Sequence, residues 1–521
     1  MRKLPIGIQN FESLRKDGYI YVDKTEYVYR LVHNGKPYFL SRPRRFGKSL
    51  FLSTLKSYFE GKKELFEGLK IAELEKDDPH AFEPYPVFYI DLNRDSYKEA
   101  HALENVLDRH LCEWEDLFRT DKGSLSLAGR FQLLIKKAYE QTGKPCVILV
   151  DEYDKPLLET ISDEQQNDHN RNVFKGFLST LKSFDEYLKF VFITGVTRFS
   201  KVSIFSDLNQ LNDISMDDDY SEICGITEKD LVKYFEKEIA ITAEKNEIDN
   251  EKCRKLLKNK YDGYHFSKNS EGVYNPFSIL NAFSKKDFSA YWYATGTPTF
   301  LLDKLNHIDF DIKSITSGKL NATPLELADY TADNNNPVPL LYQTGYLTIK
   351  GYDKLFDSYE LGYPNDEVKF GFLNSLAPTF ITAGSSGNPL DIRNFGRDLI
   401  HGDTRSLKDR FTALFARLPY ANDENWVERD FQNVIYIVFM LLGQFVHTEI
   451  HSSKGRADCI VEAERYIYIF EFKRDKSAAQ ALKQIDDTGY ARPYAADART
   501  VIVIGVNFNS KERCIDGWEV R

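Results

Sequence analysis

The chain has 521 residues, 42% of them hydrophobic and 14% aromatic, with a formal net charge of −10. That length suggests roughly two to four domains, and the composition is that of a soluble globular protein with ample core material. The negative balance excludes a global attraction to nucleic acid, so any polyanion site must be a local patch.

No apolar run approaches the roughly 20 residues of a membrane span. The start, Met1-Arg-Lys-Leu-Pro-Ile-Gly-Ile, lacks the long apolar core of a signal peptide. The six cysteines stand far apart with no C-x-x-C pair. This argues against a zinc knuckle or disulfide framework and leads to a cytoplasmic expectation.

In chain order, the alternation in Tyr19-Ile-Tyr-Val-Asp-Lys-Thr25 predicts a short strand, and a helix follows it. Tyr38 to Leu40 reads as a buried strand running into Arg42-Pro-Arg-Arg-Phe-Gly-Lys-Ser49 and a helix with Leu52, Leu55 and Phe59 inward. Strand, basic turn, Gly-Lys-Ser and helix are the parts of a nucleotide-phosphate cradle. Helix N–H groups meet anionic oxygens, Lys48 reaches the outer phosphates, and Ser49 ligates Mg²⁺. Arg42 stands where the usual pattern has glycine, and a side chain there could crowd the loop. A basic loop capping an ordinary helix is the plainer alternative.

Pro86 to Asn93 reads as a second buried strand, and Cys146-Val-Ile-Leu-Val-Asp-Glu152 as a third. Asp151 is expected to hold the magnesium-bound water and Glu152 to act as general base. Strand-end acids often merely cap a helix, but the Gly-Lys-Ser upstream lends them weight. Phe190 to Ser200 reads as a strand whose end carries Thr194, Thr197 and Arg198. Arg198 either supplies charge to the transition state or pairs with a core-edge acid. Thr227-Glu-Lys-Asp230 is a capping-box pattern opening a helical lid. From about Leu301 to Ile400 the sequence mixes turns with expected strands at Val338 to Leu347 and Val368 to Phe370.

A second chemical centre lies near the C-terminal end. A helix is expected from about Trp426 to Leu442, carrying Glu428. Asp458 precedes Cys459-Ile-Val-Glu, a polar turn follows at Glu464-Arg465, and Tyr466-Ile-Tyr-Ile-Phe-Glu471-Phe-Lys473 completes a hairpin. Centred on that turn, the hairpin sets Asp458 opposite Glu471, with Cβ atoms roughly 5 Å apart. Two such carboxylates suit Mg²⁺ or Mn²⁺, and Lys473 is placed to orient a water against a phosphodiester. The alternative is a surface hairpin in which Lys473 neutralises both acids.

The blocks Leu4-Pro-Ile-Gly, Tyr21-Val-Asp-Lys-Thr, Arg42-Pro-Arg-Arg-Phe-Gly-Lys-Ser, Val150-Asp-Glu-Tyr-Asp and Thr194-Gly-Val-Thr-Arg-Phe-Ser resemble the bacterial AAA-ATPase-like family. Gly455-Arg-Ala-Asp458, Glu471-Phe-Lys473 and Ala481-Leu-Lys-Gln-Ile485 resemble the PD-(D/E)XK nuclease superfamily domain usually fused to it. The resemblance implies that Arg44, Arg45, Phe46, Gly47, Lys48, Ser49 and Leu50, with Asp151 and Thr194, bind ATP. It implies Glu152 and Arg198 in hydrolysis, and Glu428, Asp458, Glu471, Lys473 and Gln484 in the nuclease centre, with Tyr490 after its helix. Ser49 and Asp151 would hold one metal, Asp458 and Glu471 the other. Gly296-Thr-Pro298 is loosely similar to the proline element that borders adenine in signalling ATPases.

The expected fold is α/β: a P-loop ASCE/AAA-like parallel-sheet ATPase domain (1–215), a helical lid (216–310), a mixed connecting or winged module (311–405) and a restriction-endonuclease-like domain (406–521). The expected function is ATP binding and hydrolysis coupled to Mg²⁺-dependent cleavage of nucleic acid, DNA rather than RNA, in defence or mobile-element biology. A nucleotide switch that binds nucleic acid without cutting it, and an enzyme with a vestigial nucleotide site, are the alternatives. No membrane partner is expected. An assembly of like copies fits, leaving open whether Arg44 or Arg45 serves a neighbouring copy.

Overall fold

The computed structural model describes residues 2–121, 123, 125–198, 211–295, 315, 320–328, 336–380, 392–415, 428–443, 447–449, 458–509, 511–512 and 514–521. Contacts divide the chain into two compact units, Met1–Phe310 with Gly318–Val368, and Asp311–Ser317 with Lys369–Arg521. Among the described residues, no helix is long and apolar enough to cross a membrane.

In the first unit, α1 (Phe11–Lys16) and α2 (Thr25–Asn34) lead to β1 (Pro37–Ser41), and α3 (Lys48–Phe59) and α4 (Lys70–Leu74) lead to β2 (Val87–Asp91). Helices α5 (Ala102–Phe118) and α6 (Leu127–Thr142) precede β3 (Cys146–Asp151). Helices α7 (Lys155–Glu159), α8 (Glu164–Leu178) and α9 (Thr180–Ser183) then lead to β4 (Leu188–Gly195), and β5 is Asn212–Asp213. These strands form one parallel sheet in the order β2-β3-β4-β1-β5. Nearly continuous Val, Ile, Leu and Phe runs allow it, because both faces of the central strands are buried. β4 lies between the strand before Gly-Lys-Ser and the strand that ends in the acids, as the ASCE class requires. The expected strand near Tyr21 is instead a single bridge between Lys3 and Tyr19.

β6 (Ile226–Thr227) opens the helical segment α10 (Glu228–Lys245), α11 (Asn250–Tyr261), β7 (Val273–Tyr274) and α12 (Pro276–Lys285). The capping box at Thr227 and Asp230 is formed, its bonds 3.0 and 3.1 Å long. Ile6, Ile20 and Val22 pack against this helical core. β8 (Asn321–Ala322), α13 (Pro324–Ala328), α14 (Val338–Gln343), β9 (Thr348–Asp353) and β10 (Ser358–Gly362) complete the unit, with strand order β8-β10-β9.

Two expected strands are corrected here. Val338 to Gln343 is helical because Pro339 sits in its first turn, where a missing N–H costs nothing. Val368 to Phe370 lies inside α15 (Asp366–Phe380), since the Asn365 carboxamide oxygen accepts the Val368 N–H at 3.1 Å and starts a helix.

In the second unit, α16 (Ile392–His401), α17 (Thr404–Phe415) and α18 (Glu428–Leu442) precede β11 (His447–Glu449), β12 (Cys459–Glu462) and β13 (Tyr466–Arg474). α19 (Ala478–Thr488), β14 (Thr500–Asn509) and β15 (Cys514–Val520) follow. The sheet runs β11-β12-β13-β14-β15, parallel only between β13 and β14. Ile485 and Tyr490 pack with Ile467, Ile469 and Val503, so Tyr490 is a core residue.

Candidate functional site

The phosphate turn owes its shape to a side chain that leaves it. Arg42 is fully buried, and its guanidinium donates to the carbonyls of Ser41, Ser215 and Tyr220 at 2.7–3.0 Å while lying 4.0 Å from the Phe266 ring centre. It therefore does not crowd the loop. Arg45 (φ 65°) and Gly47 (φ 96°) turn the chain through the left-handed region into α3, whose first turn has no side-chain cap. Phe46 wedges edge-on against Tyr264 and Phe266, and Arg45 lies 3.9 Å over Phe277. The Trp292 indole N–H donates to the Arg44 carbonyl at 3.1 Å, and Gly225 N–H donates to the Phe46 carbonyl at 3.2 Å. The buried Lys48 ammonium curls back on the carbonyls of Arg42 and Pro43 at 3.0 and 3.2 Å.

The turn from Arg44 to Leu50 borders a cavity of about 450 Å³, a size suited to a nucleotide. Arg44 through Leu50 and Glu152 line the polar end. Ile6, Ile8, Val22, Ile226 and Phe277 are among the apolar residues at the rest of the wall. Sequence reasoning gave the phosphate end alone. Leu4-Pro-Ile-Gly entered it as a shared block with no chemistry attached, yet Pro5, Ile6 and Gly7 are wall residues. Pro276 is a second proline of the wall besides Pro5, whereas Pro298 lies outside the described residues.

Asp151 and Thr194 are buried, and neither is on the cavity wall. The Thr194 hydroxyl donates to Asp151 Oδ1 at 2.8 Å, and the Tyr89 hydroxyl to Asp151 Oδ2 at 3.2 Å. Glu152 reaches the cavity from a left-handed backbone (φ 52°). Burial pushes its carboxyl above the ordinary range, with Lys48 opposing and Asp151 adding to the rise. Asp154, passed over in the sequence, is buried and accepts the N–H groups of Val196 and Thr197 at 3.0 and 2.5 Å. Arg198 is not on the cavity wall. It pairs with Asp213 at 2.5 Å, and its N–H donates to Gln343 Oε1 at 3.0 Å, so the arrangement is the ion pair weighed as an alternative.

In the second unit, β12 and β13 pair Cys459 with Phe470, and one step further out Asp458 lies opposite Glu471. The Phe472 N–H donates to Asp458 Oδ2 at 2.9 Å, and the Lys473 ammonium to Glu471 Oε1 at 2.8 Å. Glu471 is 2% exposed, and its Oε2 is buried with no hydrogen-bond partner. Burial first and the facing Asp458 second raise its carboxyl, against Lys473. Two hard carboxylates with one orphaned oxygen fit Mg²⁺ or Mn²⁺. Gln484 is half-buried on α19, which packs on this sheet, and Glu428 opens α18 with its side chain outside the described residues.

The family model for predicted AAA-ATPases matches residues 5–205, and that for the PD-(D/E)XK nuclease superfamily matches residues 427–518. A protein of Azotobacter chroococcum mcd 1 described as "Uncharacterized protein in vnfD 5'region" is 36% identical over 535 residues, covering 100% of this chain and 99% of that protein.

Proposed function

The chain belongs to the family of predicted AAA-ATPases and carries a PD-(D/E)XK nuclease superfamily domain, and from that premise we propose that it binds and hydrolyses MgATP to govern Mg²⁺-dependent cleavage of nucleic acid. The observation that carries the nucleotide half is the cavity in which Lys48, Ser49 and Glu152 share one wall with an apolar recess. The observation that carries the nuclease half is the orphaned, buried Glu471 oxygen beside Asp458 and Lys473.

Lys48 exchanges the carbonyls of Arg42 and Pro43 for the outer phosphates, and the uncapped first turn of α3 adds backbone donors. Ser49 and Asp151 would hold one Mg²⁺, with Thr194 and Tyr89 fixing the Asp151 carboxylate. Glu152, its proton affinity raised by burial, takes the proton of the attacking water. Arg198, held by Asp213 away from the cavity wall, would have to give up that partner and move to respond to the γ-phosphate. At the second centre Asp458 and Glu471 hold Mg²⁺ or Mn²⁺, Lys473 orients the hydrolytic water, and Glu428 and Gln484 assist. When bound, each ion neutralises phosphate charge and acidifies water.

DNA is the proposed substrate, the cytoplasm the proposed compartment, and defence or mobile-element maintenance the proposed setting. An assembly of like copies with Arg44 or Arg45 serving a neighbour belongs to the same proposal. The net charge of −10 favours a second reading, a nucleotide-dependent switch that binds nucleic acid without cutting it.

Plasmid cleavage with and without ATP tests the whole. Wild type cuts, Lys473→Ala does not, and Lys48→Ala loses the response to ATP. Wild type and Lys473→Ala behaving alike, with a gel shift in both, would select the switch. A melting scan isolates the metal centre. The raised Glu471 carboxyl stabilises the metal-free fold fully below the ordinary carboxylate range and loses that contribution as pH rises through its folded value. At neutral pH Mg²⁺ or Mn²⁺ therefore raises the wild-type melting temperature, and Glu471→Gln abolishes that rise.

A further inference from the structure

Outside both centres, a third set of donors converges on one point. His101 ends the loop before α5, Glu104 lies one turn further along the same helix face, and His169 reaches in from α8. His101 Nδ1 lies 2.9 Å and His169 Nε2 2.6 Å from the same oxygen, Glu104 Oε1. The two imidazoles meet edge to face with ring centres 5.3 Å apart. Glu104 Oε2 is buried without a hydrogen-bond partner. His101 adopts φ 60°, a conformation that a histidine takes at a cost.

A hydrogen-bonded trio explains this arrangement poorly. Both rings must donate to one oxygen while its twin stays buried and unsatisfied, which leaves a desolvation cost with nothing to offset it. Two imidazoles and one carboxylate are instead the ligand set of a borderline divalent metal. Bonds of about 2.0–2.1 Å in a tetrahedron put ligand atoms roughly 3.3 Å apart. The three donor atoms here already lie within 4.8 Å of one another. The His101 side chain is 70% exposed, so an ion can enter and solvent can supply a fourth ligand.

We infer that His101, Glu104 and His169 form a binding site for a zinc-class divalent ion, separate from the oxygen-rich magnesium sites. The ion would clamp the start of α5, which packs on β2, to α8. The second His-containing cluster, His33, Glu75 and Asp78, has a single imidazole and suits this ion less.

The test is titration of the full chain with Zn²⁺ and Co²⁺ in a Glu471→Gln background, which removes the nuclease carboxylate. Expected are one bound equivalent, a Co²⁺ absorption of tetrahedral type, and a rise in melting temperature. His169→Ala and Glu104→Gln should each weaken binding tenfold or more and abolish the Co²⁺ band. Because His101 is exposed, His101→Ala keeps the fold and serves where another variant does not. Equal binding by the parent and His101→Ala, or no equivalent bound by the parent, would overturn the site. Neither result bears on ATP hydrolysis or cleavage.

Discussion

At the scale of single residues, the phosphate loop rests on an arginine buried where a glycine is usual. Its guanidinium supplies donors to three carbonyls that otherwise have none from it, and its Nε stays unpaired. Burial pulls its pKa down, so the charge is held at a cost and the surrounding carbonyls and the Phe266 ring offset it. Restoring the usual glycine should therefore harm the site. Arg42→Gly is expected to cost about 2–4 kcal/mol of stability and to weaken the melting shift produced by MgATP. A variant that melts with wild type and binds MgATP equally would show that the loop stands without this anchor. The same scale explains what sequence missed: Asp213, which holds Arg198, lies 15 positions further on with no local pattern linking them.

At the scale of elements, runs such as Cys146 to Asp151 were legible because a strand buried on both faces has few other readings. The hairpin register was legible too, since the turn at Glu464 and Arg465 leaves one pairing that keeps the Ile residues inward. Short apolar runs were not, because Val338 to Gln343 carries no period long enough to separate helix from strand. The apolar part of the cavity was illegible for another reason: Pro5, Ile20, Ile226 and Phe277 meet there only through tertiary packing. The end of β4 shows how tightly such an element is fixed. A Cβ on Gly195 would stand 2.7 Å from Asp154 Oδ1 and from the Tyr153 ring. Gly195→Ala must therefore push apart the carboxylate that holds Val196 and Thr197. We expect a loss of about 1–3 kcal/mol and a fall in ATP turnover of roughly tenfold or more, read by denaturation and phosphate release. Full turnover in a folded variant would show that this strand end is not coupled to Thr194.

At the scale of the whole molecule, the question is how a nucleotide could be felt beyond its own unit. The first unit ends at Val368, one residue after a buried carboxylate. Glu367 accepts the Ser278 hydroxyl of α12 and the Trp292 N–H, each at 2.7 Å. The Trp292 indole in turn holds the Arg44 carbonyl of the phosphate loop. Two hydrogen-bonded residues, Trp292 and Glu367, thus join the Arg44 carbonyl to the point where the first unit ends. Burial raises the Glu367 carboxyl, against the bonds from Ser278 and Trp292. Its contribution to stability is therefore complete below the ordinary carboxylate range and is lost as pH rises through the folded value. Glu367→Gln cannot ionise, so its melting temperature should fall less over that rise. If the relay carries the signal, a wild-type change in cleavage rate on adding ATP of about 5- to 150-fold should shrink below about twofold in Glu367→Ala, while MgATP still raises its melting temperature. Retention of the full response would remove Glu367 from the route and leave the coupling to the loop's other supports, Gly225 and Phe277.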